Sequence, residues 1–366
     1  MLNNESGHCE ARRAAAISPI FYRDCVVATL LAMTALIVNL KRGAGKKYSL
    51  RIGWCLAASA GLALHSLAAT AQHFPSRPMR MIAPSPPGGS VDILSRTVGQ
   101  YLAANLHVPV IVDNRVGASA VIGTELLAKA PPDGYTMMMG YSAHATNPIF
   151  MKKLPYDTLK DFAGVVRVGD IPLLLVVHPS VAAHSVRELI ALAKARPGQL
   201  QFAAGATGGG PSMAGLLLNQ SAGVEIVQVS YKGNAPALTD LLGGQVTMMF
   251  DTINTSIALA KAGRLRALAV TSLKRSALAP ELPTMAEAAL PGFDVRAWYA
   301  VLVPARTPRD IVRRLNAEIN KALDDSAIRS RLSGDGVELA GGTPEETDAF
   351  IRAELTRWPK IIKPAP

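Results

Sequence analysis

Cysteine is scarce in this sequence. Only Cys9, Cys25 and Cys55 occur among 366 residues, and all three precede residue 72. If the segment that contains them is removed, the remaining chain has no thiol. A disulfide, a thiolate nucleophile and a Cys-ligated metal are then excluded.

Charged and aromatic residues are also few, at 18% and 5% of the chain. The formal charge is +11, but residues 1–71 hold eight of the 38 Lys/Arg and three of the 27 Asp/Glu, which leaves 30 basic against 24 acidic residues, about +6, for the remainder. No Lys/Arg-rich run is present, so a nucleic-acid partner is not expected. The mild positive bias either favours an anionic ligand or serves solubility alone.

Local catalytic and cofactor motifs are missing as well. There is no Gly-x-Ser-x-Gly elbow, no zinc-type His spacing, and no Gly-x-Gly-x-x-Gly after the first predicted strand. We therefore expect no cofactor, no metal and no enzymatic activity. A hydrolase that uses Ser142 or Ser212 with His144 stays as an alternative, because a triad is assembled in space rather than in sequence.

The N-terminus carries an export signal. Lys46, Lys47 and Arg51 precede an apolar stretch over residues 52–69, which ends at Ala69-Thr70-Ala71. This order is typical of a signal peptide cleaved after Ala71, and it predicts a periplasmic protein. The alternative is an uncleaved membrane anchor.

A second apolar run, residues 26–40, lies upstream, so residues 1–71 are interpreted as an N-terminal extension plus signal peptide. The run is short for a membrane span, which needs about 20 residues. Either translation starts later, for example at Met33, or the run is a true anchor. Cys55 follows bulky Trp54, which is not a lipoprotein context.

Beyond residue 77 short apolar runs alternate with helix-period segments. Strands are predicted at 79–83, 108–112, 135–140, 173–178, 200–204, 225–230, 246–250, 265–271 and 298–303. Helices are predicted at 91–105, 120–129, 186–195, 212–221, 236–242, 255–262, 308–324 and 344–358. Alternation of this kind predicts an α/β fold with two parallel sheets, and hence two lobes. We assign residues 72–172 plus 300–366 to the first lobe and 173–299 to the second.

Parallel sheets bind ligands where strands end and helices begin, so the strand-to-helix turns are the candidate site. The first turn holds Pro87, Gly88, Gly89, Ser90 and Asp92. Its glycines allow backbone N–H groups to approach a ligand, and a helix N-terminus attracts a carboxylate. Ser90 and Asp92 either contact the ligand or only cap the helix.

The second turn, residues 205–212, has three consecutive glycines, 208–210, and resembles a phosphate-binding loop. Pro211 stands where that motif requires Lys, so nucleotide binding is rejected. A carboxylate remains suitable for such a turn. The candidate contacts here are Ala206, Thr207, Gly208, Gly209 and Ser212.

Two further strand ends add polar groups. Ser142, His144 and Asn147 follow the strand predicted at 135–140, and Asp251 follows the one at 246–250. Each either contacts the ligand or has a structural role, as a buried hydrogen-bonding group or a cap.

Several fragments in order resemble the Bug-type receptors of tripartite tricarboxylate transporters. They are Pro87-Gly88-Gly89 with Asp92, residues 113–118, 123–124, 130–136, 154–157, 231–233, 241–246 and 250–251. The likeness covers nearly all of the chain after about Arg77.

The resemblance implies a two-lobed, type II-like periplasmic binding protein with the ligand clamped between the lobes by the first and second turns. It implies a small mono- or dicarboxylate, amino acid or aromatic acid as ligand, a monomer, and inner-membrane permease components as partners. A role as a ligand sensor for a sensor kinase is the alternative. The chain departs from the family pattern at Ser90, where the family often has glycine or threonine, and at Ala120, where it often has glycine.

Overall fold

The computed structural model describes residues 74–362, so the predicted signal peptide and upstream segment lie outside the described residues. Within that range the chain forms ten strands and eleven α-helices. The strands are β1 (Met79–Ala83), β2 (Val110–Asn114), β3 (Thr136–Tyr141), β4 (Phe162–Val177), β5 (Gln201–Ala204), β6 (Val227–Ser230), β7 (Met248–Thr252), β8 (Arg266–Val270), β9 (Arg296–Pro304) and β10 (Glu338–Gly341).

The helices alternate with the strands as the sequence predicts. They are α1 (Ser90–Leu106), α2 (Val121–Ala128), α3 (Ala143–Phe150), α4 (Val186–Ala195), α5 (Gly210–Ala222), α6 (Asn234–Leu242), α7 (Ile253–Lys261), α8 (Met285–Ala288), α9 (Arg309–Asp324), α10 (Ser326–Gly334) and α11 (Pro344–Ile361). None of these helices is long and apolar enough to cross a membrane.

The strands form one continuous mixed sheet in the order β2-β1-β3-β9-β4-β7-β5-β6, with β8 and β10 also paired to β4. The pairs of β1 with β2 and β3, and of β5 with β6 and β7, are parallel. The pairs made by β9 and β4 are antiparallel. The prediction of purely parallel sheets is therefore wrong at the centre, and the two predicted sheets are joined through β4.

Strand β4 begins eleven residues before the predicted start at residue 173. Its first part contains Gly164, Arg167, Gly169 and Asp170, which interrupt the apolar pattern that identifies a strand. Residues 162–172 pair with β9, and residues 173–177 pair with β7. The strand thus changes neighbours after Pro172, a residue whose missing N–H suits such a change.

Several other boundaries differ from the sequence predictions. Strand β2 lies two residues later than predicted, and the segment from Ser142 to Pro148, expected to be a turn, is mostly the helix α3 with Pro148 inside it. Helices α8 and α10 and strand β10 are not in the prediction at all. The N-terminus of α11 has a capping box, in which Thr343 accepts from the Glu346 N–H and Glu346 accepts in return.

A buried polar contact connects α11 to the sheet. The Oε2 atom of Glu354 accepts hydrogen bonds from the indole N–H of Trp298 on β9 (3.1 Å) and of Trp358 one turn later (2.9 Å). Both indoles are buried, and Glu354 is only 8% exposed. One carboxylate therefore satisfies two buried donors that have no access to water.

We expect Glu354→Ala to lower the free energy of unfolding by about 3 kcal/mol, because two buried N–H groups lose their acceptor. Glu354→Gln keeps an acceptor oxygen, so its loss is expected to be below about 1.5 kcal/mol. Urea unfolding measures both, with the exposed Glu345→Ala on the same helix as control. Equal losses for Ala and Gln would contradict this account of the contact.

Candidate functional site

Four helix N-termini converge on one cavity. Helices α1, α5, α6 and α7 begin just after the carboxyl ends of β1, β5, β6 and β7. The cavity is small, with a volume of about 50 Å³. Its walls are Ser85, Gly89, Ser90, Val91, Tyr141, Gly205, Ala206, Gly209, Gly210, Pro211, Gly233, Asn234, Thr252, Ala297 and Tyr299. No charged side chain belongs to this set.

These four helices share a second property, because none has a side-chain cap. The N-cap residues are Gly89, Gly209, Gly233 and Thr252, and none accepts from a first-turn N–H. Helices α4, α8, α10 and α11 have side-chain caps, whereas α2, α3 and α9 lack them as the four cavity helices do. First-turn amides at the cavity thus keep their donors for another acceptor.

Asp92 fixes the first turn through a hydrogen bond from the backbone of Gly88. The carboxylate is 5% exposed and accepts from the Gly88 N–H (3.1 Å), from Asn114 (3.0 Å) and from Arg96 (3.0 Å). Burial pushes the pKa of Asp92 upward, but the hydrogen bonds from Arg96, Asn114 and Gly88 outweigh it and leave the pKa below its usual value. Asp92 does not line the cavity and positions the turn instead.

Hydrogen bonds join the two sides of the cavity. The Ser90 and Thr252 hydroxyls lie 2.9 Å apart, and Ser90 also donates to Asn254 (3.1 Å). On a neighbouring side the Thr207 N–H donates to the Ser119 hydroxyl (3.1 Å). The first turn is therefore bonded to Thr252 at the N-terminus of α7, and the second turn is bonded to Ser119.

Gly208 explains part of the glycine run. The Thr146 hydroxyl donates to its carbonyl oxygen, and a Cβ at Gly208 would lie 2.5 Å from that hydroxyl oxygen. Gly208 also has a φ of +77°, which favours glycine. Glycine at position 208 is therefore explained by its backbone conformation and by the close packing of α3 against this turn. Neither constraint involves a ligand.

A turn of residues Ala118, Ser119 and Ala120 has positive φ at three consecutive non-glycine residues, with values of 45°, 52° and 73°. Such backbone is costly for residues with a Cβ. Ala120 is the position at which the family often has glycine. The turn directs the Ser119 hydroxyl to the Thr207 N–H, so it supports the contact across the cavity.

A second cavity, of about 80 Å³, adjoins the first. Its lining is Pro84, Ser85, Pro86, Val116, Gly117, Ala118, Ser119, Ala120, Tyr141, Gly205, Ala206, Tyr231, Lys232 and Gly233. Ser85, Tyr141, Gly205, Ala206 and Gly233 line both cavities.

Two tyrosines in the wall are absent from the sequence-based site. Tyr141 on β3 and Tyr299 on β9 are cross-strand partners, and both line the first cavity. Burial raises the pKa of each hydroxyl, so both stay neutral and keep a donor. Their position at strand ends was visible in the sequence, but the pairing of β3 with β9 was not.

Four predicted contacts line the first cavity: Gly89, Ser90, Ala206 and Gly209. Pro87, Gly88, Thr207 and Gly208 belong to the same turns without forming its wall. Ser142, Asn147 and Ser212 are buried and bonded elsewhere, to the Trp298 N–H, to the Ser119 carbonyl and to Gln228. Two wall residues beside α6 are absent from the predicted contacts: Gly233, which ends the 231–233 fragment of the family resemblance, and Asn234, which follows it.

His144 is a core residue. Its ring packs edge-on against Phe162 at 4.9 Å and parallel to Tyr156 at 6.5 Å between centroids. Burial lowers the pKa of His144 to about 4, so the ring is neutral. Among residues 74–362 no serine hydroxyl is bonded to it, which removes the geometry that the hydrolase alternative needs. Nor does this range contain a cluster of three metal-binding side chains.

Asp251 is fully buried beside the cavity and does not line it. Its carboxylate accepts from Thr255 (2.6 Å) and from the side-chain amide of Asn234 (3.3 Å), which does line the cavity. Burial raises the pKa of Asp251 to about 6 against the opposing effect of these hydrogen bonds. Asp251 therefore fixes the wall at the N-termini of α6 and α7.

The raised pKa has a consequence for stability. Between about pH 4 and pH 6 the folded chain holds a proton on Asp251 that the unfolded chain releases, so unfolding becomes easier as pH rises. We expect this carboxyl to cost about 3 kcal/mol across that window. Asp251→Asn should remove that part of the pH dependence, measured by urea unfolding at several pH values. Asp324→Asn, at an exposed site, is the control, and identical curves for wild type and Asp251→Asn would contradict the assignment.

A two-lobed α/β fold with a cavity formed by helix N-termini is the arrangement of a solute-binding receptor. The chain belongs to the tripartite tricarboxylate transporter receptor family, whose model matches residues 94–365. Protein BugT of Bordetella pertussis is 39% identical over 308 residues, which cover 84% of this chain and 94% of BugT.

Solved structures agree with this assignment. R. palustris Rpa4515 with adipate has a TM-score of 0.77 at 36% identity and covers 79% of this chain and 97% of its own. MatC of Rhodopseudomonas palustris with bound malate has a TM-score of 0.75 at 31% identity, with coverages of 79% and 99%. The predicted Bug-type resemblance is thereby confirmed.

Proposed function

We propose that this receptor captures a small carboxylate in the first cavity and delivers it to the membrane components of a tripartite tricarboxylate-type transporter. The observation that carries the proposal is the convergence of four helix N-termini without side-chain caps on a cavity without a charged wall residue. Structural relatives with adipate and malate support the same ligand class.

The physical basis is an anion-binding site that is formed by backbone N–H groups at helix N-termini. Each helix N-terminus is worth about 0.3–1 kcal/mol to a nearby negative charge, and more when partly buried. The side-chain amide of Asn234, which donates only one of its two N–H groups to Asp251, adds a further donor. Because the wall has no Arg, carboxylate recognition here does not use a bidentate clamp.

The lobe boundaries remain a prediction: residues 72–172 plus 300–366 for the first lobe and residues 173–299 for the second. Strand β4 supports the first boundary, since its partners change between Pro172 and Leu173. A hinge at such a crossover allows the two walls to part and to release the ligand.

Within the site we assign direct contact to Gly89, Ser90, Ala206 and Gly209, which line the cavity. His144 belongs to the core, and the other predicted residues shape or hold these turns: Pro87, Gly88, Asp92, Ser142, Asn147, Thr207, Gly208, Ser212 and Asp251.

We place the receptor in the periplasm and expect its signal peptide to be cleaved after Ala71, because a small-residue Ala-Thr-Ala site follows the apolar stretch. N-terminal sequencing of the protein from a periplasmic extract should then begin Gln72-His73-Phe74. A sequence that begins upstream of residue 52, from a membrane fraction, would show an anchor instead.

Gly89→Val tests the proposed anion-binding site. The φ of Gly89 is −87°, which valine adopts, and the nearest atom to a new Cβ is the Ser85 hydroxyl at 3.6 Å. A branched side chain at the N-cap of α1 should obstruct the first-turn amides and weaken carboxylate affinity about tenfold or more. Calorimetric titration of the refolded protein with mono-, di- and tricarboxylates, amino acids and aromatic acids measures this.

Gly334→Val is the matched control, because no atom lies within 4 Å of a Cβ at that position and α10 is away from the cavity. It should leave affinity unchanged. If wild-type protein, shown to be folded, binds no acid of the panel, the proposed function is wrong. If Gly89→Val binds carboxylates as tightly as wild type, the proposed location of the anion-binding site is wrong.

A further inference from the structure

The two adjoining cavities differ in charge. Neutral groups alone line the first, whereas the second has one charged side chain in its wall, that of Lys232. The five residues that line both cavities are uncharged and include Tyr141 and Ala206. A ligand that occupies both would therefore meet backbone donors, then a neutral passage, then an ammonium group.

The backbone that carries Lys232 is held on both sides. The Tyr231 N–H donates to the Ala204 carbonyl (2.8 Å), and the Tyr231 hydroxyl donates to Asp240 (2.8 Å). Gly233 packs so closely on Pro86 that a Cβ there would lie 2.4 Å from Pro86 Cδ. The loop before α6 is thus fixed against the first turn, and Lys232 stands at the rim of the second cavity.

The Lys232 side chain is exposed. Within residues 74–362 no carboxylate lies within 4.0 Å of its ammonium group, although thirteen such ion pairs exist in that range. Asp240, the acidic group on the same loop and helix, is engaged by Tyr231. The ammonium is therefore available to an anion from outside the chain.

We propose that the second cavity is a distal subsite in which Lys232 binds the far carboxylate of a linear dicarboxylate. This rests on the proposed function, since the near carboxylate occupies the first cavity. The neutral passage of Tyr141, Gly205 and Ala206 takes the apolar linker between the two acid groups. Lys232 then determines selectivity for the length of the ligand and for its second negative charge. The helix N-termini provide the affinity for any carboxylate.

The experiment compares each diacid with its own half-ester, which has similar shape and one charge fewer. Wild-type protein is titrated calorimetrically with succinate, glutarate, adipate, pimelate and their monomethyl esters. The diacid that binds best should exceed its half-ester by about fivefold, as expected for a charge pair at an exposed rim. That ratio should shrink as salt is added, because salt screens exposed charges.

Lys232→Met keeps the aliphatic stem and should abolish the preference for the diacid, while affinity for the half-ester stays at the wild-type value. Lys232→Arg should keep the preference. Lys194→Met, on the exposed face of α4, has the same net charge as Lys232→Met and should behave like wild type.

The outcomes separate the two proposals. A wild-type preference that persists in Lys232→Met, or the lack of any wild-type preference, would overturn the distal subsite and leave carboxylate binding intact. Failure of the folded wild-type protein to bind any of these acids would overturn both.

Discussion

The pairing of β4 is the constraint on which the rest of the structure depends. Its 16 residues hydrogen-bond to β9 and β10 along one part and to β7 and β8 along the other. The parallel strands β1 and β5 lie on opposite sides of this centre. Because of that arrangement, turns from distant parts of the chain meet at one cavity.

Glycine at the N-cap connects helix stability to ligand binding. A side-chain cap satisfies the same first-turn N–H groups that an anion needs, so the two compete for one set of donors. Replacement of a good cap by glycine costs only a few tenths of a kcal/mol in many hosts. Gly89, Gly209 and Gly233 therefore leave donors available at small expense, while Ser185, Thr284, Asp325 and Thr343 cap helices elsewhere.

Sequence reasoning identified the turns better than the individual contacts. A glycine-rich turn between strand and helix has a local pattern, so the turns that contain Gly89 and Gly209 were predictable. The wall residues Tyr141 and Tyr299 depend on the antiparallel pairing of β3 with β9, and apolar periodicity does not reveal a strand's partner. The start of β4 was missed for a related reason, since Gly164 and Asp170 interrupt its pattern. His144 looked functional by residue type, and only its packing on Phe162 assigns it to the core.

The two acidic residues predicted at the site share one role. Asp92 binds Gly88 and Asn114 beneath the first turn, and Asp251 binds Asn234 beside the N-terminus of α6. Neither lines the cavity. A carboxylate in the wall would repel a carboxylate ligand and would compete for the same amides, whereas a carboxylate one layer away orients the donors without facing the ligand. Buried acids thus support a neutral wall, and the single cation at the edge of the paired cavities, Lys232, is left to recognise additional negative charge on the ligand.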